Sequence, residues 1–164
     1  MPGRSWESLL LNQDYRDILS EFCAQNVEFL LVGAYAMAAH GLPRATGDID
    51  LWVRCSTENA VRVMAALKRF GAPIADISAA DFERPGIVFQ IGVVPRRIDV
   101  TTTIDGIDFD TAWSERLQVA IDNLPINVIG REHLLRNKIA AGRPKDLADA
   151  AWLQAVPQKP QPKE

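Results

Sequence analysis

The chain has little with which to build a disulfide framework, a zinc cluster or a membrane span. It carries two cysteines, Cys23 and Cys55, and two histidines among 164 residues. Neither cysteine belongs to a Cys-x-x-Cys pair or to a Cys/His cluster, so both are expected as reduced thiols in packed positions. His40 closes one predicted helix and His133 sits in the first turn of another. Neither has a partner at ligand spacing, which argues against zinc. No apolar run approaches the roughly 18–20 residues that cross a bilayer. Met1-Pro2-Gly3-Arg4 opens no signal-peptide pattern, because no apolar segment follows at once. The expectation is a cytoplasmic protein with no membrane partner. Basic charge is not in excess either: the net charge is −3 and the pI about 5.4. That weighs against a broad nucleic-acid surface but leaves room for a local basic pocket.

What the chain does have is an ordinary globular composition, 48% apolar and 24% charged, with no internal repeat. One domain is expected over 1–156, followed by a disordered tail, PQKPQPKE, at 157–164. Asn12 can cap a helix over 13–25 whose Tyr15, Ile18, Leu19 and Phe22 form one apolar face, and Asn26 can end it. Trp6, Leu9 and Leu10 suggest a short turn of helix before it. Residues 27–32 read as a buried strand ended by Gly33. A short helix over 34–40, rich in alanine, precedes a second strand over 48–53. Thr57 is the expected cap of a helix over 58–69 with Val61, Met64, Ala65 and Leu67 on its apolar side. Ser78 and Asp81 suit a capping box. Strands over 87–91 and 97–103 can pair as an antiparallel hairpin. A helix over 109–116, short strands over 117–121 and 126–129, and helices over 131–141 and 145–155 complete the chain. Leu134, Leu135 and Ile139 are expected on one side of the first of these last two helices. The fold class is α/β (α+β), a mixed sheet flanked by helices, with helices at the C-terminal end.

The chemistry concentrates in Gly47-Asp48-Ile49-Asp50-Leu51-Trp52-Val53. A strand repeats every two residues, so Asp48 and Asp50 share one face while Ile49 and Leu51 take the other. Two such acids repel unless a cation sits between them, and oxygen ligands suit Mg²⁺ or Mn²⁺. Ile98-Asp99-Val100 repeats the pattern. If the two strands are neighbours, three carboxylates converge. Such a set can hold two ions about 3.5–4 Å apart, the geometry that clamps an in-line phosphoryl displacement. Asp48 and Asp50 would hold the ions, and Asp99 would hold one of them and accept a hydroxyl proton. Thr46 and Gly47 are expected to shape the approach to the strand. Trp52 shares the acids' face and can either wall the site, stack a base or simply pack. Arg44 can meet phosphate or pair with an acid.

The series Val32-Gly33-Ala34-Tyr35, then Gly47-Asp48-Ile49-Asp50, then Ile98-Asp99-Val100 resembles the nucleotidyltransferase (DNA polymerase β-like) superfamily. With Lys138 and the stretch Arg143-Pro144-Lys145-Asp146 it is similar to small proteins near the AbiEii type of toxin. The resemblance covers about residues 27–154. It implies that Gly33 and Ala34 offer backbone N–H groups to the β- and γ-phosphates of a nucleoside triphosphate. It implies that Asp48, Asp50 and Asp99 are catalytic and bind two Mg²⁺ or Mn²⁺ ions. Lys138, with Arg143 or Lys145, would meet phosphate charge, and Asp146 would orient those basic groups. The reaction implied is transfer of a nucleoside monophosphate to a hydroxyl of an RNA 3′ end or a protein, releasing pyrophosphate. The family favours Gly or Ser where this chain has Ala34, which has no hydroxyl to donate. The alternative is therefore a catalytically weak or inactive module in a toxin–antitoxin or phage-defence pair. A metal-dependent phosphohydrolase is a third reading. Arg96, Arg97, Arg131, Arg136, Lys138, Arg143 and Lys145 form the densest basic set, either a solvated face or a rim for triphosphate or RNA.

Overall fold

The computed structural model describes residues 11–43 and 45–156. Helix α1 (Gln13–Ala24) starts where Asn12 Oδ1 accepts a hydrogen bond from the Tyr15 amide at 2.9 Å, and it buries Tyr15, Ile18, Leu19 and Phe22 as the periodicity predicts. Strand β1 (Phe29–Val32) is buried throughout and passes at Gly33 directly into helix α2 (Gly33–Ala39). Strand β2 (Asp48–Val53), helix α3 (Thr57–Phe70), a 3-10 turn at Ala79–Glu83, and the hairpin of β3 (Val88–Ile91) and β4 (Arg97–Thr101) follow. Helix α4 (Phe109–Ser114), the hairpin of β5 (Leu117–Ile121) and β6 (Leu124–Val128), and helices α5 (Arg131–Ala141) and α6 (Pro144–Ala155) complete the order. Ser78 and Asp81 form the expected capping box. The suggested turn around Trp6, Leu9 and Leu10, Arg44, and the tail at 157–164 lie outside the described residues.

The six strands form one mixed sheet in the order β3-β4-β2-β1-β6-β5. β2 pairs in parallel with β4 and antiparallel with β1, and β1 pairs in parallel with β6. The central strands contribute Leu30, Leu31, Ile49, Leu51, Ile98 and Val100 to the core, all fully buried. No helix among the described residues is long and apolar enough to cross a membrane.

The structure departs from the sequence pattern at three elements. The cap of α3 is Ser56, not Thr57, and its core face is Ala60, Val63, Ala66 and Leu67 rather than a stripe including Val61, which is 59% exposed. The helix is apolar on several sides, so periodicity alone does not choose its phase. Asn59 chooses it. Fully buried, its amide accepts from Glu28 N at 2.7 Å and donates to Glu28 O at 3.0 Å and Arg54 O at 2.9 Å, tying the approach to β1 to the exit of β2. On α5, Ile139 is 51% exposed, and the inward face is His133, Leu134 and Lys138. Lys138 turns inward because Asp146 and Asp149 wait on α6. Finally, β6 begins at Leu124, two residues before its predicted start, because Asp122 and Asn123 both take positive φ and close a tight hairpin.

Replacing Asn59 by Leu leaves the Glu28 amide and the Arg54 carbonyl without a partner at a buried junction, while the Glu28 carbonyl keeps the Arg54 amide. Asn59→Leu is expected to lower stability by about 2–4 kcal/mol in urea unfolding, on the scale of buried polar groups left unpaired.

Candidate active site

The parallel pairing of β2 with β4 sets Asp48 opposite Arg97 and Asp50 opposite Asp99. Alternation along both strands puts these four side chains on one face, while Ile49, Leu51, Ile98 and Val100 fill the core behind them. Asp48, Asp50 and Asp99 each offer a carboxylate oxygen within 4.8 Å of the others. They are the one group of three or more metal-type ligands among the described residues. Thr46 Oγ1 donates to Asp48 Oδ1 at 3.1 Å and so orients the first acid.

The electrostatics of the cluster favour a bound cation or a retained proton. Burial, then the charges of Asp48 and Asp99, push Asp50 up to about 7. Burial is also the main cause of the upward shift of Asp99, opposed by Arg97. Asp99 Oδ1 is buried and has no hydrogen-bond partner. Hard oxygen donors, mutual repulsion and a buried carboxylate oxygen that accepts no hydrogen bond together fit a divalent ion.

Gly33 fits against this cluster as no residue with a side chain could. Val32 pairs with Asp50, and the chain then turns at Gly33 with φ +71°. A Cβ there would lie 2.2 Å from Asp50 Oδ2. Gly47 is similarly constrained, since a Cβ would meet Val94 Cγ1 at 2.4 Å. Ala34 follows Gly33 in the first turn of α2.

A cleft of about 290 Å³ opens beside the acids, bounded by Gly33, Asp50 and Asp99 on one side and Lys138, Arg143 and Asp146 on the other. Lys138, 6% exposed, sends Nζ to Asp149 Oδ2 at 3.0 Å and Asp146 Oδ1 at 3.4 Å. Arg143 Nε donates to Asp146 Oδ2 at 2.6 Å. Burial alone would raise Asp146, but the Arg143 hydrogen bond and the Lys138 charge hold it below its ordinary value. The two C-terminal helices therefore bring Lys138, Arg143 and Asp146 to the cleft. Lys145 is exposed and does not line it.

The wider basic set does not form one rim. Arg131 hydrogen-bonds the Val156 carbonyl, Arg136 and Lys145 are exposed, and Arg97 lies among the acids. Trp52 is 1% exposed. Its indole N–H donates to Thr102 O at 3.2 Å and its ring meets Phe109 edge-on at 5.1 Å, so it packs and offers no face for a base. His40 Nε2 lies 2.8 Å from the Ile129 carbonyl and outside the acid cluster. Cys23 and Cys55 are free thiols, each pushed up by burial.

Three contributors escape the sequence pattern. Arg97 bridges two of the acids, a role signalled by its place two residues before Asp99 on the same strand. Tyr15 donates its hydroxyl to the carbonyls of Arg97 at 3.0 Å and Pro95 at 3.3 Å, and burial, Tyr35 and Asp48 push it up to about 12. Asp149 shares Lys138 with Asp146, and only the three-dimensional turn between α5 and α6 brings them together.

The folded chain holds the Asp50 proton up to about 7, while the unfolded chain releases it near 3.8. The metal-free protein should therefore lose thermal stability as pH rises through that window. Asp50→Asn should flatten the dependence, and Mn²⁺ should raise the melting temperature more above the window than within it. Gly33→Ala should cost about 1–3 kcal/mol in urea unfolding, from a left-handed φ plus the displaced carboxylate, and should weaken Mn²⁺ binding in calorimetry.

No protein-family model matches the chain, and no curated protein matches it in sequence. Solved structures do match. The lincosamide antibiotic adenylyltransferase LnuA with lincomycin bound aligns over 90% of this chain and 99% of its own, with TM-score 0.57 and 15% identity. A candidate nucleotidyltransferase of Thermotoga maritima aligns over 91% and 98%, with TM-score 0.59 and 15% identity. ANT(2″)-Ia in complex with adenylyl-2″-tobramycin aligns over 85% and 84%, with TM-score 0.54 and 16% identity. With the mixed sheet, its flanking helices and the acids on two adjacent parallel strands, these matches show that the chain has the fold of the nucleotidyltransferase superfamily.

Proposed function

We propose that the protein is a metal-dependent nucleotidyltransferase that moves a nucleoside monophosphate from a nucleoside triphosphate to an acceptor hydroxyl. One observation carries this reading: Asp48, Asp50 and Asp99 converge across the β2–β4 pair, beside the Gly33 turn, in an open cleft. Two Mg²⁺ or Mn²⁺ ions on these acids would neutralise triphosphate charge and activate the attacking oxygen. Asp99 takes the proton of the acceptor hydroxyl. The hydroxyl oxygen bonds to the α-phosphorus, the bond from that phosphorus to the bridging oxygen breaks, and pyrophosphate leaves. Gly33 and Ala34 present backbone N–H groups to the phosphates. Arg143, whose side chain is exposed, would meet phosphate across the cleft, and Lys138, held by Asp146 and Asp149, would back it from the buried wall.

The acceptor is a hydroxyl of an RNA 3′ end, a protein or a small molecule. The small-molecule class is supported by the shared fold of LnuA and ANT(2″)-Ia, which are solved with lincomycin and adenylyl-2″-tobramycin. A second reading, a catalytically weak module in a toxin–antitoxin or phage-defence pair, is favoured by Ala34, which lacks the hydroxyl that a serine would donate.

Calorimetric titration with each nucleoside triphosphate plus Mn²⁺, on wild type and Asp48→Ala/Asp50→Ala, tests the proposal. Metal-dependent binding lost in the double variant is the expected result. Absence of binding for every triphosphate would sink the transferase reading and leave the module. Transfer of α-³²P label to RNA, protein or small-molecule acceptors then separates the acceptor classes. Release of inorganic phosphate with no labelled acceptor would identify a hydrolase instead.

A further inference from the structure

The guanidinium of Arg97 reaches two of the three carboxylates that could hold a cation. Its Nη2 donates to Asp48 Oδ2 at 2.8 Å, and its Nε lies 3.1 Å from Asp99 Oδ1. The second contact is one of charge only, because Arg97 Nε and Asp99 Oδ1 are both buried without a hydrogen-bond partner. The arginine thus bridges two acids with one good hydrogen bond and one misaligned contact.

The fold imposes this placement. Arg97 pairs with Asp48 in register and precedes Asp99 by two residues, so its side chain emerges on the face of the acids. Its backbone is held on both sides: the amide donates to Gly47 O at 3.2 Å, and the carbonyl accepts from Tyr15 Oη at 3.0 Å. The side chain is 32% exposed and has a path to solvent without any movement of the strand.

We propose that Arg97 is a built-in counter-ion of the acid cluster, holding Asp48 and Asp99 together in the metal-free protein and leaving them when a divalent ion binds. The proposal rests on the reading of Asp48, Asp50 and Asp99 as a metal site. One guanidinium offsets a single negative charge and reaches two of the acids, whereas a divalent ion offsets two charges and can contact all three. Metal and arginine therefore compete for the same oxygens, and Arg97 sets the metal concentration at which the site loads. It is a positioning residue for the acids and takes no part in bond making.

The test is Mn²⁺ binding to the full chain without nucleotide, followed by electron paramagnetic resonance of free Mn²⁺, for wild type, R97Q, R97K and D50A. R97Q is expected to bind Mn²⁺ about tenfold more tightly, the scale of one charge-assisted hydrogen bond no longer broken on loading. Its metal-free melting temperature should fall below wild type and recover with Mn²⁺. R97K keeps the charge but cannot span both acids with a planar fork, so it should fall between the two. Equal or weaker Mn²⁺ binding by R97Q, with wild type binding normally, overturns the counter-ion role and leaves the metal site standing. No binding by wild type and R97Q alike overturns both. If R97Q fails to fold, R97K decides: tighter binding than wild type supports the role, and equal or weaker binding overturns it.

Discussion

Mutual repulsion among three carboxylates is the constraint around which the site is organised. The parallel pairing of β2 and β4 brings Asp48, Asp50 and Asp99 together, and three neighbours accommodate that charge. Thr46 donates to one acid, Arg97 reaches two, and Gly33 has no side chain where Asp50 needs room. The upward shift of Asp50 follows from burial first and then from the charges of Asp48 and Asp99. A cluster under that tension holds a cation more readily than a solvated set of acids, because binding relieves a strain already present.

The opposite wall is built by a different logic. Lys138 and Asp146 are almost wholly buried, and each charge is met by an opposite one. Such a network is costly to desolvate and contributes little net stability. What it provides is direction: Asp146 caps α6 through the Arg143 backbone and side chain together, and so fixes the angle at which α6 leaves α5. The positive groups face the acids across the cleft as a result of that turn.

Much of this architecture is legible in the sequence, for definite reasons. The bounds of α1, β2 and α5 follow to within a residue because their caps, glycines and apolar spacing agree. The three acids stand out because carboxylates that alternate with aliphatic residues are sorted onto one strand face, where they repel unless a cation joins them. Their convergence depends on β2 and β4 being neighbours, which local pattern does not encode, and the observed strand order supplies that. The phase of α3 is illegible because its apolar residues circle the helix and one buried asparagine decides between them. Lys138 and Ile139 exchange their expected environments because a lysine reads as exposed until its buried partners are known. Arg97 reads as one basic residue among several because charge counting does not show which cation lies within reach of which acid.

The alternation along β2 and β4 also bears on how the chain avoids misassembly. A slip of one residue in the alignment of either strand would turn its acids into the core and its Ile and Val or Leu side chains out to water. Burying an unpaired carboxylate costs several kcal/mol, and a slipped β2 would bury two. The charges that make the site therefore also penalise a slipped register, so the acid face helps to specify the alignment of the sheet.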